Sequence, residues 1–351
     1  EPYDDIAKGL KDYFEYNILL DPDEISYLLS QKVPKDRIVR GTSPVPFLKA
    51  VKNDAEIAGF HRSMIRDGVA MVKFLRWLLP AVEEGNQTEM TIDEKLTSLR
   101  REQELFRDIS FDTIAAYQEH GAIVHYEATP ETDVRLRPEG FLLLDSGAQY
   151  QDGTTDITRT IALGPVTQEQ RLVYTLVLKG HIQLEMAKFP EGASGTQIDA
   201  LAREPLWRYG FNYLHGTGHG VGAYLNVHEG PHQIRMEWKP SPLLAGMTVT
   251  DEPGVYLAGR FGVRIENTLL VKEYSHREDG TPLSDEFGRF LQMEPLTLCP
   301  IDTSPILVEM LTNEEIAWLN DYHALVFERL SPYLDEDERK WLCKATERLT
   351  E

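Results

Sequence analysis

Cysteine is nearly missing from these 351 residues: only Cys299 and Cys343 occur, far apart and in no metal-binding spacing. A disulfide framework and a thiolate metal site are thereby excluded. A reducing cytoplasm is the natural setting, and any metal must be held by histidine and carboxylates. Long hydrophobic runs are missing too. No apolar stretch approaches the ~20 residues of a membrane span, and the N-terminus lacks a basic-then-apolar export pattern. Basic charge is scarce, with 36 Lys and Arg against 57 Asp and Glu and a formal net charge of -21. So acidic a surface repels phosphate backbones and anionic lipid heads, which argues against nucleic-acid and membrane partners.

The remaining composition, 42% hydrophobic and 26% charged, is that of a globular protein able to bury a sizeable core. The chain begins at Glu1 rather than methionine, so an upstream domain is expected. Residues 1–50 then form the remnant of that domain plus a linker. They hold one apolar burst, Asn17 to Leu20, a helix-like stretch at 23–30 and the breaker-rich run Gly41-Thr42-Ser43-Pro44-Val45-Pro46.

Asn53 with Glu56 has the form of a capping box. Ile57, Phe60, Met64, Met71, Leu75 and Leu78 follow at helical spacing, a stripe read as core packing, and Pro80 is expected to end the run. Thr91 with Glu94 is expected to start a second helix. From Gly121 the pattern turns to strands, at 121–126, 141–150 and 154–163, with Asp152-Gly153 as a turn signal. A helix at 168–189 separates these from a second strand-rich half at 215–227, 247–252 and 262–271. After Pro300, Thr312 with Glu315 opens the first of two tail helices, and the second spans 335–349. Strands and helices alternate in blocks, so the class is α+β.

The chemistry lies where acids and histidines interrupt apolar strands. Asp145 follows the buried run Phe141-Leu142-Leu143-Leu144. A carboxylate there costs several kcal/mol unless a metal or hydrogen bonds compensate it, and it reads either as a ligand or as a structural turn residue. Asp156 lies on the return strand. With a tip at Asp152-Gly153, Asp145 would face Thr160 and Asp156 would face Gln149, on one side of the ladder but about 13 Å apart at ~3.3 Å per residue. A shared metal pair therefore demands a different register or a bulge.

The segment His215-Gly216-Thr217-Gly218-His219-Gly220-Val221-Gly222 contains an i, i+4 histidine pair, but its glycines disfavour the helix of a zinc protease and no Glu follows the first His. Its partial dinucleotide fingerprint does not lead into a helix and is rejected. Four of the ten histidines, His215, His219, His228 and His232, fall within eighteen residues. Glu252 ends a strand before Pro253-Gly254, and Glu266 is expected in mid-strand, with Arg264 on the same face to hold its carboxylate. Asp145, Asp156, His219, Glu252 and Glu266 together form a hard, oxygen-rich donor set suited to two divalent ions. Ions ~3.5–4 Å apart can share a hydroxide and polarise a carbonyl.

At these residues the sequence resembles the aminopeptidase P branch of the creatinase-like, pita-bread metallopeptidases. The motifs are Ile123-Val124-His125-Tyr126, Asp145 to Tyr150 with Thr155 to Thr160, His215 to Gly222, Asn226 to Pro231, Thr250 to Gly254, and Val263 to Asn267. The resemblance implies a pita-bread catalytic domain at 51–300 and a C-terminal helical extension at 301–351, like the long, three-domain cytosolic form. It implies Asp145 on one metal, His219 and Glu252 on the other, and Asp156 and Glu266 bridging both. Catalytic roles fall to His125, His215 and His228 around the scissile bond and to Glu252. The metals implied are manganese first, zinc or cobalt otherwise. The substrates implied are peptides with proline in second position, and the partner is a second copy in a homodimer. An Xaa-Pro dipeptidase (prolidase) is the nearest rival, disfavoured by the tail. A metal-free binding module and the metal-free hydrolase creatinase are disfavoured by the intact ligand set.

Overall fold

The computed structural model describes residues 2–277 and 279–350, leaving the side chain of Asp285 aside. Two compact units divide it, Glu1–Lys49 and Ala50–Glu351. The first carries short helices α1 (Ile6–Gly9) and α2 (Tyr27–Ser30), a parallel strand pair β1 (Ile18–Leu20) and β2 (Ile38–Arg40), and the start of α3 (Val45–Ala50).

The second unit opens with α4 (Asp54–Glu84). Asn53 Oδ1 accepts from the Glu56 amide at 3.0 Å and Glu56 Oε2 from the Asn53 amide at 2.9 Å, closing the capping box. Phe60, Met64, Met71 and Leu78 of the stripe are buried. Pro80 does not end the helix. Ala81 and Val82 beyond it are buried, so packing outweighs one lost N–H, and the helix closes at Gly85 in the left-handed region. Helix α5 (Glu89–Arg101) is capped by Thr88, three residues before the expected Thr91, which instead closes the capping box.

Strands β3 (Phe106–Ile109) and β4 (Ile114–Tyr117) follow. The expected strand at 121–126 is a turn and loop instead. Glu89, buried at the start of α5, accepts from the Tyr117 amide, the Tyr126 hydroxyl and His120, all at 2.8 Å, and draws this segment off the sheet. Strands β5 (Phe141–Ser146), β6 (Ala148–Tyr150), β7 (Gly153–Thr154) and β8 (Ile157–Ala162) form the central hairpin, whose base and tip belong to different sheets, ordered β4-β5-β8 and β3-β6-β7. Helix α6 (Gln168–Glu185) stops short of 189, because Lys188–Pro190 pairs into a sheet as β9.

Helix α7 (Gly195–Trp207) leads to β10 (Gly218–His219), the one strand that the expected 215–227 element retains among the described residues, and to its partner β11 (Gln233–Ile234). Strands β12 (Thr248–Asp251), β13 (Gly254–Leu257), β14 (Phe261–Arg264), β15 (Asn267–Glu273) and β16 (Phe290–Pro295) come next, giving an antiparallel sheet ordered β12-β15-β16-β9 and the hairpin β13-β14. Helices α8 (Asn313–Leu330) and α9 (Glu336–Ala345) close the unit. One core joins α6 to Phe141, Phe261, Val263 and the C-terminal helices, and another joins α4 and α5 to β4, β5 and β8.

The hairpin register departs from the simple expectation. Tyr150 faces Gly153, so the tip is Gln151-Asp152, and Asp145 faces Thr158 rather than Thr160. Ser146 faces Ile157 and Gln149 faces Thr154, which sets Asp156 opposite Gly147. The two acids are thus two rungs apart, about 7 Å along the strand at ~3.3 Å per residue, and share a face. Gly147 is where the hairpin passes from one sheet to the other. A Cβ there would overlap Ser110 Oγ and the Thr155 carbonyl oxygen. Gly147→Ala is therefore expected to cost about 1–3 kcal/mol, as overpacking does. Urea unfolding beside the parent chain measures it, and an unchanged midpoint would show that the crossing tolerates a side chain.

Candidate metal centre

Every carboxylate of the expected donor set sits where a strand ends or breaks. Asp145 is near the end of β5, Asp156 in the gap between β7 and β8, and Glu252 just past β12. Glu266 is not in mid-strand as expected but in the break between β14 and β15. There its amide leaves the ladder to reach the Thr158 carbonyl at 3.0 Å. His219 ends β10. Gly218 before it lies so close to the Thr250 carbonyl that no side chain fits, which brings β10 against β12.

These elements converge on a cleft of about 490 Å³, whose lining includes all eight expected site residues: His125, Asp145, Asp156, His215, His219, His228, Glu252 and Glu266. Asp156, His219 and Glu266 offer ligand atoms within 4.8 Å of one another. His219 Nε2 lies 3.4 Å from Asp156 Oδ2 and 3.6 Å from Glu252 Oε1. Its Nδ1 is 3.0 Å from the Gly220 carbonyl, a bond that puts the proton on Nδ1 and turns the Nε2 lone pair to the acids. The acids are deep, and His125 and His228 are exposed at the lip.

Arg264 does not hold Glu266. Its Nη2 donates to Asp145 Oδ2 at 2.6 Å and its Nη1 to the Tyr256 hydroxyl at 2.7 Å. Glu266 Oε2 accepts instead from Thr158 Oγ1, at 2.7 Å. The Tyr256 hydroxyl, accepting from Arg264, donates onward to His215 Nε2 at 2.8 Å, while His215 Nδ1 donates to the Gly216 carbonyl at 2.6 Å. A relay thus runs from Asp145 through Arg264 and Tyr256 to His215. Tyr256 was missed from sequence, where a tyrosine after Pro253-Gly254 carries no signal. The acids Asp112 and Glu127 and the side chains Gln233 and Arg235, which also line the cleft, were missed as well.

The centre carries too much negative charge for the cations it contains. Burial pushes Glu252 up to about 8, with Asp156 and Asp145 adding to the rise. Burial, then Asp156, raises Glu266 well above the carboxylate range, and burial raises Asp156. Burial pulls His219 down, but its contacts with Asp156 and Glu252 outweigh this and bring it to about 9. Burial, then Arg264, lowers His215 to about 4, so it stays neutral. Asp145 Oδ1 is buried without a hydrogen bond. Four carboxylates with an orphaned oxygen and one imidazole fit hard divalent cations.

A profile of metallopeptidase family M24 matches residues 58–273, and one of the C-terminal region of peptidase M24 matches residues 289–349. Aminopeptidase P1 of Arabidopsis thaliana is 42% identical over an alignment of 357 residues, covering 93% of this chain and 54% of its own length. The probable Xaa-Pro aminopeptidase P of Laccaria bicolor is 43% identical, with 91% and 50% covered. Among solved structures, X-prolyl aminopeptidase from Caenorhabditis elegans, a cytosolic enzyme with a di-nuclear active site, matches with a TM-score of 0.90 and 37% identity, over 99% of this chain and 58% of that one. Xaa-Pro dipeptidase from Bacillus anthracis matches at 0.69 and 25% identity, over 85% and 77%. The fold is the pita-bread fold of these structures. The chain spans about half the length of the curated relatives it matches.

The charge imbalance fixes a pH dependence. Glu252 at about 8 and His219 at about 9 lie above their ordinary values of 4.5 and 6.5. Between pH 7 and 9 the folded, chelated chain thus holds more protons than the unfolded chain, and its stability falls as pH rises. Ions displace those protons, so the stabilisation they bring grows with pH. The thermal midpoint of chelator-treated protein is expected to fall from pH 7 to pH 9, and manganese to raise it more at pH 9. A midpoint that stays level or rises without metal contradicts this charge assignment.

Proposed function

The chain belongs to metallopeptidase family M24, and from that premise we propose that it is the catalytic part of an aminopeptidase that removes the N-terminal residue from peptides whose second residue is proline. The observation that carries this reading is the convergence of Asp156, His219 and Glu266, with Asp145 and Glu252, at the floor of one cleft. Proline specificity rests on the relatives, a plant aminopeptidase P1, a probable fungal Xaa-Pro aminopeptidase P and a nematode X-prolyl aminopeptidase. Residues 289–349, which match the family's C-terminal region, favour this reading over a dipeptidase. Residues 51–300 are the proposed catalytic domain and 301–351 its extension.

In this reading Asp145 would hold one ion, His219 and Glu252 the other, and Asp156 and Glu266 would be shared between them. When bound, two divalent ions supply a nucleophilic water at neutral pH and polarise the scissile carbonyl. Manganese is the proposed metal, because the donors are mostly carboxylate oxygens. Glu252 acts as proton carrier, taking a proton from the attacking water and passing it to the proline nitrogen as the C–N bond breaks. His125 and His228, exposed at the lip, donate hydrogen bonds to the peptide. His215 acts from the cleft wall through Tyr256, orienting the hydroxyl from which its Nε2 accepts a hydrogen bond. A cytoplasmic setting is proposed, supported by the two free cysteines and the cytosolic nematode relative, and a homodimer is proposed on the resemblance of the C-terminal helices to the family's long form.

With manganese, cleavage of an Xaa-Pro-Yaa tripeptide is expected, with little turnover of Xaa-Ala-Yaa or of an Xaa-Pro dipeptide. Preference for the dipeptide would make the chain a prolidase. His219→Ala should lose bound metal along with activity. His215→Ala should keep about two ions and lose ~10²–10³ in turnover, the usual cost of one transition-state contact. Metal content by mass spectrometry beside steady-state rates reads both variants. If His215→Ala sheds metal and His219→Ala keeps it, the assignment in this loop is wrong.

A further inference from the structure

Behind the metal centre lies a second group of titratable side chains that this reading leaves unused. His181 and Glu185 stand one turn apart on α6, and Asp251 is the last residue of β12. All three are buried. His181 Nδ1 lies 3.1 Å from Asp251 Oδ2, and Nε2 lies 3.2 Å from Glu185 Oε1. Among the described residues, neither Asp251 oxygen, neither His181 nitrogen nor Glu185 Oε2 makes a hydrogen bond of good geometry. The imidazole is thus the nearest compensation for two buried carboxylates at once. One ligand atom from each of the three lies within 4.8 Å of the others, but the two carboxylates face opposite ring nitrogens, which suits a bridge between two acids better than a cage for one ion.

What the bridge holds is specific. Asp251 faces Asn267 across the β12-β15 ladder, and this is the last rung before both strands break. The next residues outward are Glu252 and Glu266. Strand alternation turns Asp251 and Asn267 toward α6 and their neighbours toward the cleft. Asn267 Nδ2 donates to Glu185 Oε1 at 2.8 Å. A closed circuit therefore runs from His181 to Asp251, across the rung to Asn267, on to Glu185 and back along one helical turn. Trp318 of α8 packs edge-on against the His181 ring, with centroids 5.9 Å apart.

We propose that His181, seconded by Glu185, is a positioning residue that clamps this last rung and so sets the spacing of Glu252 and Glu266 for the metal pair. This rests on the two-metal reading above, and its test reads metal binding rather than peptide cleavage. The imidazole touches neither cleft nor substrate and works through the rung alone. Replacing a group that orients metal ligands typically costs about 10–100-fold in metal affinity. With the rung as intermediary, about tenfold is expected for His181→Gln, and less for Glu185→Gln, which keeps an oxygen for Asn267.

The experiment is calorimetric titration of the chelated full chain with manganese, beside thermal unfolding without metal and the spin spectrum of the loaded protein, which responds to the distance between ions. His181→Gln, folded, should bind manganese about tenfold more weakly and show an altered spin coupling. Glu185→Gln carries the same test if His181→Gln does not fold. A variant that unfolds earlier without metal yet binds manganese with unchanged affinity and coupling gives the triad a purely structural role and overturns the proposal. So does a third ion bound by the parent chain and lost in His181→Gln. A parent chain that binds no manganese removes the two-metal reading itself, which is a distinct failure.

Discussion

Four carboxylates buried around one imidazole, in a chain of net charge -21, form the constraint on which the rest of the structure depends. Each buried ion costs several kcal/mol unless compensated. The protein supplies one guanidinium in contact, Arg264 on Asp145, and one imidazole, His219. The excess negative charge is left for bound cations. Because ions bind the folded arrangement and not the dispersed chain, they add to the stability that the acids take away.

Placing the acids so close demands backbone that stops being regular at the right residues. A continuous ladder spaces same-face side chains two rungs apart, wider than a metal pair tolerates. Breaks at Asp156 and Glu266, and strand ends near Asp145 and at Asp251, let the chain step inward while the flanking rungs keep their register. Gly147 and Gly218 mark the points where neighbouring backbone crosses too closely for any side chain. Regular sheet on either side is what makes the breaks reproducible.

The candidate site residues were legible because a charged or ligating side chain beside apolar strand is costly and therefore conspicuous. All eight line one cleft. The capping boxes of α4 and α8 were legible for a local reason, since their partners lie three residues apart. What escaped depends on distant partners. The hairpin tip moved by one residue because β5 and β8 belong to a different sheet from β6 and β7, and no turn signal at Asp152-Gly153 encodes that. The segment 121–126 left the sheet because Glu89, thirty-odd residues upstream, holds Tyr126 and His120. His181 gave no signal, since its acids are Glu185 on its own helix and Asp251 seventy residues away.

The C-terminal helices are tied to the same constraint. Arg159, buried on β8, donates to the carbonyls of Thr158, Glu266, Cys299 and Pro300, to Asn267 Oδ1 and to the Tyr322 hydroxyl of α8. Tyr322 stacks on Trp318, with ring centroids 5.3 Å apart, and Trp318 packs on His181. Removing α8 would strip Arg159 of the Tyr322 hydroxyl and open the His181 triad to water. Breaking buried networks of this kind costs far more than their formation returns. The family profiles part between residues 273 and 289, yet Ala50–Glu351 form one compact unit. One guanidinium holds the carbonyl of Glu266 and the hydroxyl of α8 together, so the extension and the metal centre are parts of one cooperative unit.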